Sequence, residues 1–417
     1  MTETRTSIRD AVDDAYRREW AQVFATTVRV AGDLDIAEDC VQDAFVSALT
    51  AWEADGIPAN PGAWLTTVAR RKALDRLRRA STAQAKLPLL LEPETVDPPS
   101  GEEAPVIGDD RLRLVFTCCH PALSPETQVA LTLRLVCGLP TASIAQTFLV
   151  SVPTMAARIT RGKKKISVAR IPFVMPSESD LDERLDAVLT AIHLFFTAGH
   201  TAGSGNMLVD REVVIRAIEL GRQLEALMPG QSEVAGLLAL MLLTDSRRDS
   251  RVDDAGELVL LSDQDRSRWD HAEIAEGERL SRHACADGVA PGRFLLQAQI
   301  AAEHATAPTA AATDWVQIVA LYDQLLGVWP TPVVHLNRAV AVAMADGPAA
   351  GLVELDAVAS DPVLRRYHYV PATRADLLRR LGRNTEAAEE YRQALIMVAN
   401  DTERRFLQQR LAEVSAN

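Results

Sequence analysis

The sequence predicts an all-α protein: two small helical domains joined by a proline-rich linker, followed by a larger helical domain. Three observations lead there. Ala, Leu, Val, Arg and Glu abound, while aromatics make up only 5% of the 417 residues, a balance that favours helix. Apolar residues recur at helical spacing in one segment after another. Residues 86–108, by contrast, hold five of the 21 prolines and have no helical period, so they join domains rather than close a loop within one. The boundaries that follow are 1–85, 86–110, 111–171 and 172–417.

From Asp10 to Val30, the residues Val12, Tyr16, Trp20, Val23 and Thr27 form one helical face, and Gly32-Asp33 ends the run. In IAEDCVQDAFVSALTAW (36–52), Ala37, Val41, Ala44, Phe45 and Ala48 turn inward. Glu38, Asp39, Gln42 and Asp43 crowd an outer acidic face. A third helix, 63–79, has Trp64, Leu65, Val68, Ala69 and Leu77 as its core. Arg71/Asp75/Arg78 and Lys72/Arg76/Arg79 form two adjacent, mostly basic stripes on it. An acidic helix beside a basic one suggests one face for protein and one for nucleic acid. The linker, 23 residues long, reaches at most about 75–80 Å when extended. That is enough to let both domains touch one duplex at separated elements.

Residues 123–166 read as three short helices. Ser124, Pro125 and Glu126 open the first. Val129, Leu133 and Val136 form its inner face, and Gly138 ends it. The second carries Ile144, Ala145 and Phe148. After a tight turn, Ser151 caps the third, whose inner stripe is Met155, Ile159 and Ile166. Its outer stripe is Thr154, Arg158, Arg161 and Lys165. Helix, short turn, helix with a basic outer face is the helix-turn-helix layout, whose second helix enters the major groove. Six basic residues and no acid lie between 158 and 170, more than a solvated face requires. Gly162 interrupts that helix, either to admit a close neighbour or as a tolerated weakness of about 1 kcal/mol.

The net charge of −13 divides unevenly. Residues 1–170 contain 21 basic and 21 acidic residues, so the whole excess lies in the remaining 23 basic and 36 acidic ones. DNA contact therefore belongs to the first 170 residues, and phosphate should repel the rest. Five cysteines, odd in number and irregularly spaced, argue against a disulfide framework. Cys118-Cys119-His120 is poorly spaced for one tetrahedral metal site, and no metal or cofactor is expected. No apolar run reaches membrane length, and the N-terminus has no signal-peptide core. The expected location is the cytoplasm.

Two of these stretches resemble the extracytoplasmic-function group of bacterial RNA polymerase sigma factors. AEDCVQDAF with NPGAWLTTVARRKALDRLRR is similar to sigma region two, and residues 123–166 are similar to region four. The resemblance implies core RNA polymerase and promoter DNA as partners. It assigns polymerase docking to Asp39, Gln42, Asp43 and Phe45. The −10 element falls to Asn60, Trp64, Arg71, Lys72, Asp75 and Arg78, and the −35 element to Thr154, Arg158, Arg161 and Lys165. Trp64 serves either that single-strand surface or the core. Lys72 departs from the Asn of many relatives, and Pro153 stands near a position where they carry Gly.

Beyond residue 171, AVLTAIHLFF (187–196) and GLLALMLL (236–243) are apolar on nearly all sides and must be buried. LLRRLGRNTEAAEEYRQAL resembles a tetratricopeptide repeat, with Gly382, Ala387, Tyr391 and Ala394 at its small and aromatic positions. QDRSRWD (264–270) offers polar groups suited to a pocket or to capping and bracing helices. GHTAGSGN (199–206) lacks the Lys-Ser/Thr of a phosphate loop. No nucleophile–base arrangement is visible, so the reading is a binding subunit and not an enzyme. The extension is expected to bind protein, either its own N-terminal half or polymerase. The rival reading is a one-component helix-turn-helix regulator with an effector-binding domain.

Overall fold

The computed structural model describes residues 2–85, 110–148, 150–200, 210–253, 256–286 and 290–416. The expected linker and most of GHTAGSGN lie outside the described residues. Among those described there is no strand, only an isolated bridge between Val252 and Leu258. The chain forms two compact units, one through Ala191 and one from Ile192 onward, divided within a helix.

The first unit begins with three mutually packed helices, α1 (Thr2–Ala31), α2 (Leu34–Asp55) and α3 (Pro61–Ala85). Asp33 caps α2 by accepting from the Asp35 and Ile36 amides at 2.9 and 3.0 Å, which satisfies donors the helix cannot. Trp20, Val23, Phe24, Val41, Trp52 and Leu65 are buried between the three. Next come α4 (Asp110–Cys118), α5 (Pro125–Leu131), α6 (Thr141–Thr147) and α7 (Val152–Val168). Residues Thr132–Val136 continue α5 as a π turn, and Gly138 closes it at φ +69°. A Cβ on Gly138 would lie 3.0 Å from the Trp20 ring, so this turn and α1 approach closely.

The inner stripe of α7 is buried as its spacing predicts: Met155, Ile159 and Ile166. Gly162 is there for contact. A Cβ at that position would lie 2.6 Å from Thr127 Cγ2 and 2.9 Å from Leu131 Cδ1, both on α5. Gly162→Ala should therefore destabilise the protein by about 1–3 kcal/mol through overpacking, although alanine is the better helix former. Urea denaturation checks this, and a stabilised variant would mean the two helices separate easily. Cys118 and Cys119 are fully buried. Cys119 Sγ lies 3.6 Å from Thr132 Oγ1, and burial pushes its thiol up to about 12, which leaves it unreactive at neutral pH. The first half of α8 (Glu178–His200) belongs to this unit, where Arg184 donates to the Phe116 carbonyl at 3.2 Å.

The second unit continues with α9 (Arg211–Leu227), α10 (Ser232–Asp245), α11 (His271–Ala286), α12 (Arg293–Thr306), α13 (Trp315–Val328) and α14 (Pro332–Ala345). It ends with α15 (Pro348–Val358), α16 (Tyr369–Arg380), α17 (Asn384–Met397) and α18 (Asp401–Ser415). Residues 236–243 of α10 are all buried, as their uniformly apolar run requires. From α12 onward each helix packs on the next in the chain. Ala387, Tyr391 and Ala394 are buried, and Gly382 turns between α16 and α17 at φ +74°.

Three histidines set into this unit, His200 buried and His193 and His304 partly so, should make it acid-sensitive. Burial, then the neighbouring Arg293, lowers His193 to about 4. Burial, then Arg251 and Arg247, lowers His200 to about 3. Burial, then Arg247 and Arg266, lowers His304 to about 4. The unfolded chain binds these protons first, so their contribution is complete above about pH 6.5 and is lost as pH falls towards 4. Glu273, raised to about 7 chiefly by burial and by Asp245, opposes one of the three over the same window. The urea midpoint of this unit should fall between pH 7 and pH 5. A midpoint that holds or rises would show that the histidines are not buried neutral.

Candidate nucleic-acid and protein interfaces

The acidic face of α2 is narrower than its sequence predicts. Asp39, Gln42 and Asp43 are exposed. Arg76 of α3 reaches across to both carboxylates, at 2.8 Å from Asp39 and 3.2 Å from Asp43. Glu38, expected on the same outer face, is instead buried. Its carboxylate takes Arg134 Nη2 at 2.8 Å on one oxygen and Lys163 Nζ on the other. Phe45, expected among the docking residues, is also buried, stacked among Tyr16 and Trp20 with ring centroids 5.2 and 6.3 Å away. It backs the acidic face without lying on it, because it falls on the inward side of the same helical period.

On α3, Arg71 and Arg78 are exposed, while Lys72 and Asp75 are partly so. Asp75 lies 3.9 Å from Arg78. Thr66, Thr67, Arg70, Arg71, Leu74, Asp75 and Arg78 line a shallow depression, so the basic stripe is concave. Trp64 is half-buried, its ring edge-on to Trp52 with centroids 5.7 Å apart. It is part of the core and also reaches the surface. Asn60 is exposed and its side chain accepts from the Ala63 amide at 3.0 Å, so it starts α3 as a cap.

On α7, Thr154, Arg161 and Lys165 are exposed. Ser151 Oγ accepts from the Thr154 amide at 3.3 Å and lies 2.8 Å from its hydroxyl. Arg158 folds back, its guanidinium 5.4 Å from the Phe148 ring centroid. Lys163 turns away from the outer stripe to Glu38 and to Asp35, the latter at 3.0 Å. Burial would lower its ammonium, yet the two carboxylates hold it above the ordinary lysine range.

These contacts bring α7 onto α2. The π segment rests on α1, where Trp20 Nε1 donates to the Leu135 carbonyl at 3.2 Å. Arg134 stands 5.9 Å from the Trp20 ring centroid. Ser167 Oγ is 3.4 Å from Asp33, and Arg29 is 3.4 Å from Asp110. Residues far apart in the chain thus make one packed body. A sequence shows no sign of which glutamate will meet a lysine 125 positions later, and Glu38 and Lys163 were both legible only as members of charged stripes.

Comparison with known proteins adds the following. Residues 10–82 match the family described as Sigma-70 region 2, and residues 113–166 match Sigma-70, region 4. Residues 184–285 match a family of unknown function, DUF6596. An uncharacterized protein of Rhizobium meliloti (strain 1021) is 39% identical over 403 residues, 95% of this chain and 94% of that one. The probable ECF RNA polymerase sigma factor SigI of Mycobacterium tuberculosis is 32% identical over 165 residues, 39% of this chain and 56% of SigI. The ECF RNA polymerase sigma factor SigK of Mycobacterium sp. (strain KMS) is 28% identical over 156 residues, 37% of this chain and 79% of SigK. No solved structure matches. No helix among the described residues is long and apolar enough to cross a membrane.

Proposed function

We propose that the chain is an RNA polymerase sigma factor of the extracytoplasmic-function group, which recruits core polymerase to promoters and helps open them; its matches to Sigma-70 regions 2 and 4 and its similarity to SigI and SigK support this. In this reading Asp39, Gln42 and Asp43 of α2 dock on polymerase. Arg71, Lys72, Asp75 and Arg78 of α3 hold the −10 element, with Trp64 at their edge. Thr154, Arg158, Arg161 and Lys165 of α7 read the −35 element. The observation that carries the proposal is the pair of exposed basic helix faces, each on a segment that matches one of the two sigma regions. A one-component regulator would leave the region 2 match and the α3 stripe without a task. Run-off transcription with purified core enzyme tests the proposal, and promoter binding without any transcript would support the regulator.

The two basic helices have different tasks under this reading. Arg158→Ala should weaken binding to upstream duplex by about 1–3 kcal/mol if the side chain leaves Phe148 to make a bidentate base contact. Arg71→Ala with Arg78→Ala should instead slow strand opening, because their surface suits a single strand. A pre-melted template separates the two. It should rescue the α3 variant and leave the α7 variant impaired; the opposite pattern would mean the tasks are reversed.

The second unit is the proposed protein-binding part, acting on the first unit or on polymerase and avoiding DNA. Its acidic balance supports that. The isolated charge argument is checked by a salt series: added acidic extension should not steepen the salt dependence of promoter binding.

A further inference from the structure

The second unit carries a cluster of arginines in which Arg247 has no carboxylate partner among the described residues. The irregular segment between α10 and α11 folds back on itself, with the Asp270 amide donating to the Ser246 carbonyl at 2.7 Å. Five arginines stand on it, of which Arg268 is exposed. Arg248 collects the nearby acids, with Asp245 and Asp270 at 2.9 Å and Glu273 at 2.7 Å. Arg247, Arg251 and Arg266 form no ion pair with these acids. Arg251 donates to the His200 ring and to the His200 carbonyl. Arg266 donates to the His304 and Ala307 carbonyls at 2.7 and 2.8 Å, and it lies 4.4 Å from the Trp269 ring centroid. The Arg247 guanidinium makes no hydrogen bond or ion pair among the described residues.

Burial, then the charges of Arg251 and Arg266, lowers Arg247 to about 10. His304 feels Arg247 and Arg266 in turn, so these groups are near neighbours. Two further polar atoms of the cluster, His304 Nδ1 and Trp269 Nε1, are buried without a hydrogen-bond partner among the described residues. Glu403, which accepts from Tyr369 and lies 3.3 Å from His368, is a counter-charge for Arg251, and no carboxylate acts on Arg247 or Arg266 in this way. A guanidinium without a carboxylate partner, crowded by two others, is unfavourable unless an anion completes it. Arginine does this best for oxyanions, because its planar fork presents paired donors to carboxylate and phosphate alike.

We propose that Arg247, flanked by Arg251, Arg266 and His304, forms a binding site in the C-terminal unit for a small oxyanion, the carboxylate or phosphate group of a metabolite. The site is built from residues that have no part in the polymerase or promoter faces, so it gives the extension a chemical input of its own. Bracing by Arg266 and Arg251 to backbone carbonyls keeps their charges in place, and Arg247 is left to meet the ligand. Trp269 packs its ring against Arg266 on one side of the cluster.

The test uses the full chain and two probes, inorganic phosphate and malonate, titrated calorimetrically at constant ionic strength against chloride. Saturable binding of at least one probe is expected, and the tighter one tells phosphate from carboxylate chemistry. Arg247→Met should weaken that binding at least tenfold. Its unfolding midpoint in chloride should equal or exceed that of the unaltered chain, because a crowded charge has been removed. Arg247→Lys, which keeps the charge but not the fork, should fall between the two and serves if the methionine variant does not fold. No saturable binding of either probe by the unaltered chain, or equal binding by the Arg247 variants, would overturn the proposal. So would a lowered midpoint for Arg247→Met with no loss of anion binding, since that would mark Arg247 as a structural residue.

Discussion

Glu38→Ala is expected to destabilise the first unit by about 3–5 kcal/mol, the usual effect of removing one member of a buried charge group. The side chains of Glu38, Lys163 and Arg134 are only 10%, 12% and 19% exposed. Deleting the carboxylate leaves two cations in the interior. Asp35 can still hold Lys163 from the surface, but Arg134 keeps only the Leu139 carbonyl, at 3.4 Å, and the Trp20 ring. Urea denaturation of the full chain, followed by helical signal, should show the first unit unfolding earlier. A double-mutant cycle with Lys163→Ala should return a coupling of about 1–3 kcal/mol. A loss within about 0.5 kcal/mol, the range of surface substitutions, would mean that α7 does not rest on α2 in solution. Glu38→Gln tests the same contact more gently.

That cluster marks the limit of what the sequence discloses. Helix existence was legible because it rests on local period and caps: Asp33, Ser151 and Gly138 stand where the chain starts or stops a helix. Inward stripes were legible too, since Met155, Ile159 and Ile166, or Ala37, Val41 and Ala44, share a face by geometry alone. Charged residues beside such a stripe are ambiguous, because one turn decides between solvent and a partner. Glu38 and Phe45 sit on that boundary, and the partners that settled it lie on α7, on the turn after α5 and on α1. Gly162 was ambiguous for a related reason. Its lack of a side chain has a meaning only once α5 is placed against it, 2.6 Å from where a Cβ would stand. The unpaired Arg247 was out of reach altogether, since a missing counter-charge is a property of the folded neighbourhood.

Reversing the charge of Asp39 and Asp43 together should abolish capture of core polymerase, because these two carboxylates are the exposed acids left on the α2 face once Glu38 is buried and Asp35 is tied to Lys163. From sequence alone the double reversal should change stability by no more than about 0.5 kcal/mol. The structure raises that figure, since both residues hold Arg76 and the reversal would set three arginines against one another. Exposed pairs of this kind are worth about 0.2–1 kcal/mol each, so Asp39→Asn with Asp43→Asn, which removes the charge without reversing it, is the cleaner variant. It should fold normally by circular dichroism and bind polymerase more weakly. Arg76→Ala decides what the carboxylates are for. If they exist to dock on a basic patch of polymerase, releasing them from Arg76 should leave capture intact or strengthen it. If they exist only to anchor α3, Arg76→Ala and the double reversal should fail alike, and Asp39 and Asp43 would then lose their place in the docking face. Tagged full-length chain, purified core enzyme and a pull-down across a salt series suffice for all three variants, with Arg71→Ala as the control that should bind polymerase normally.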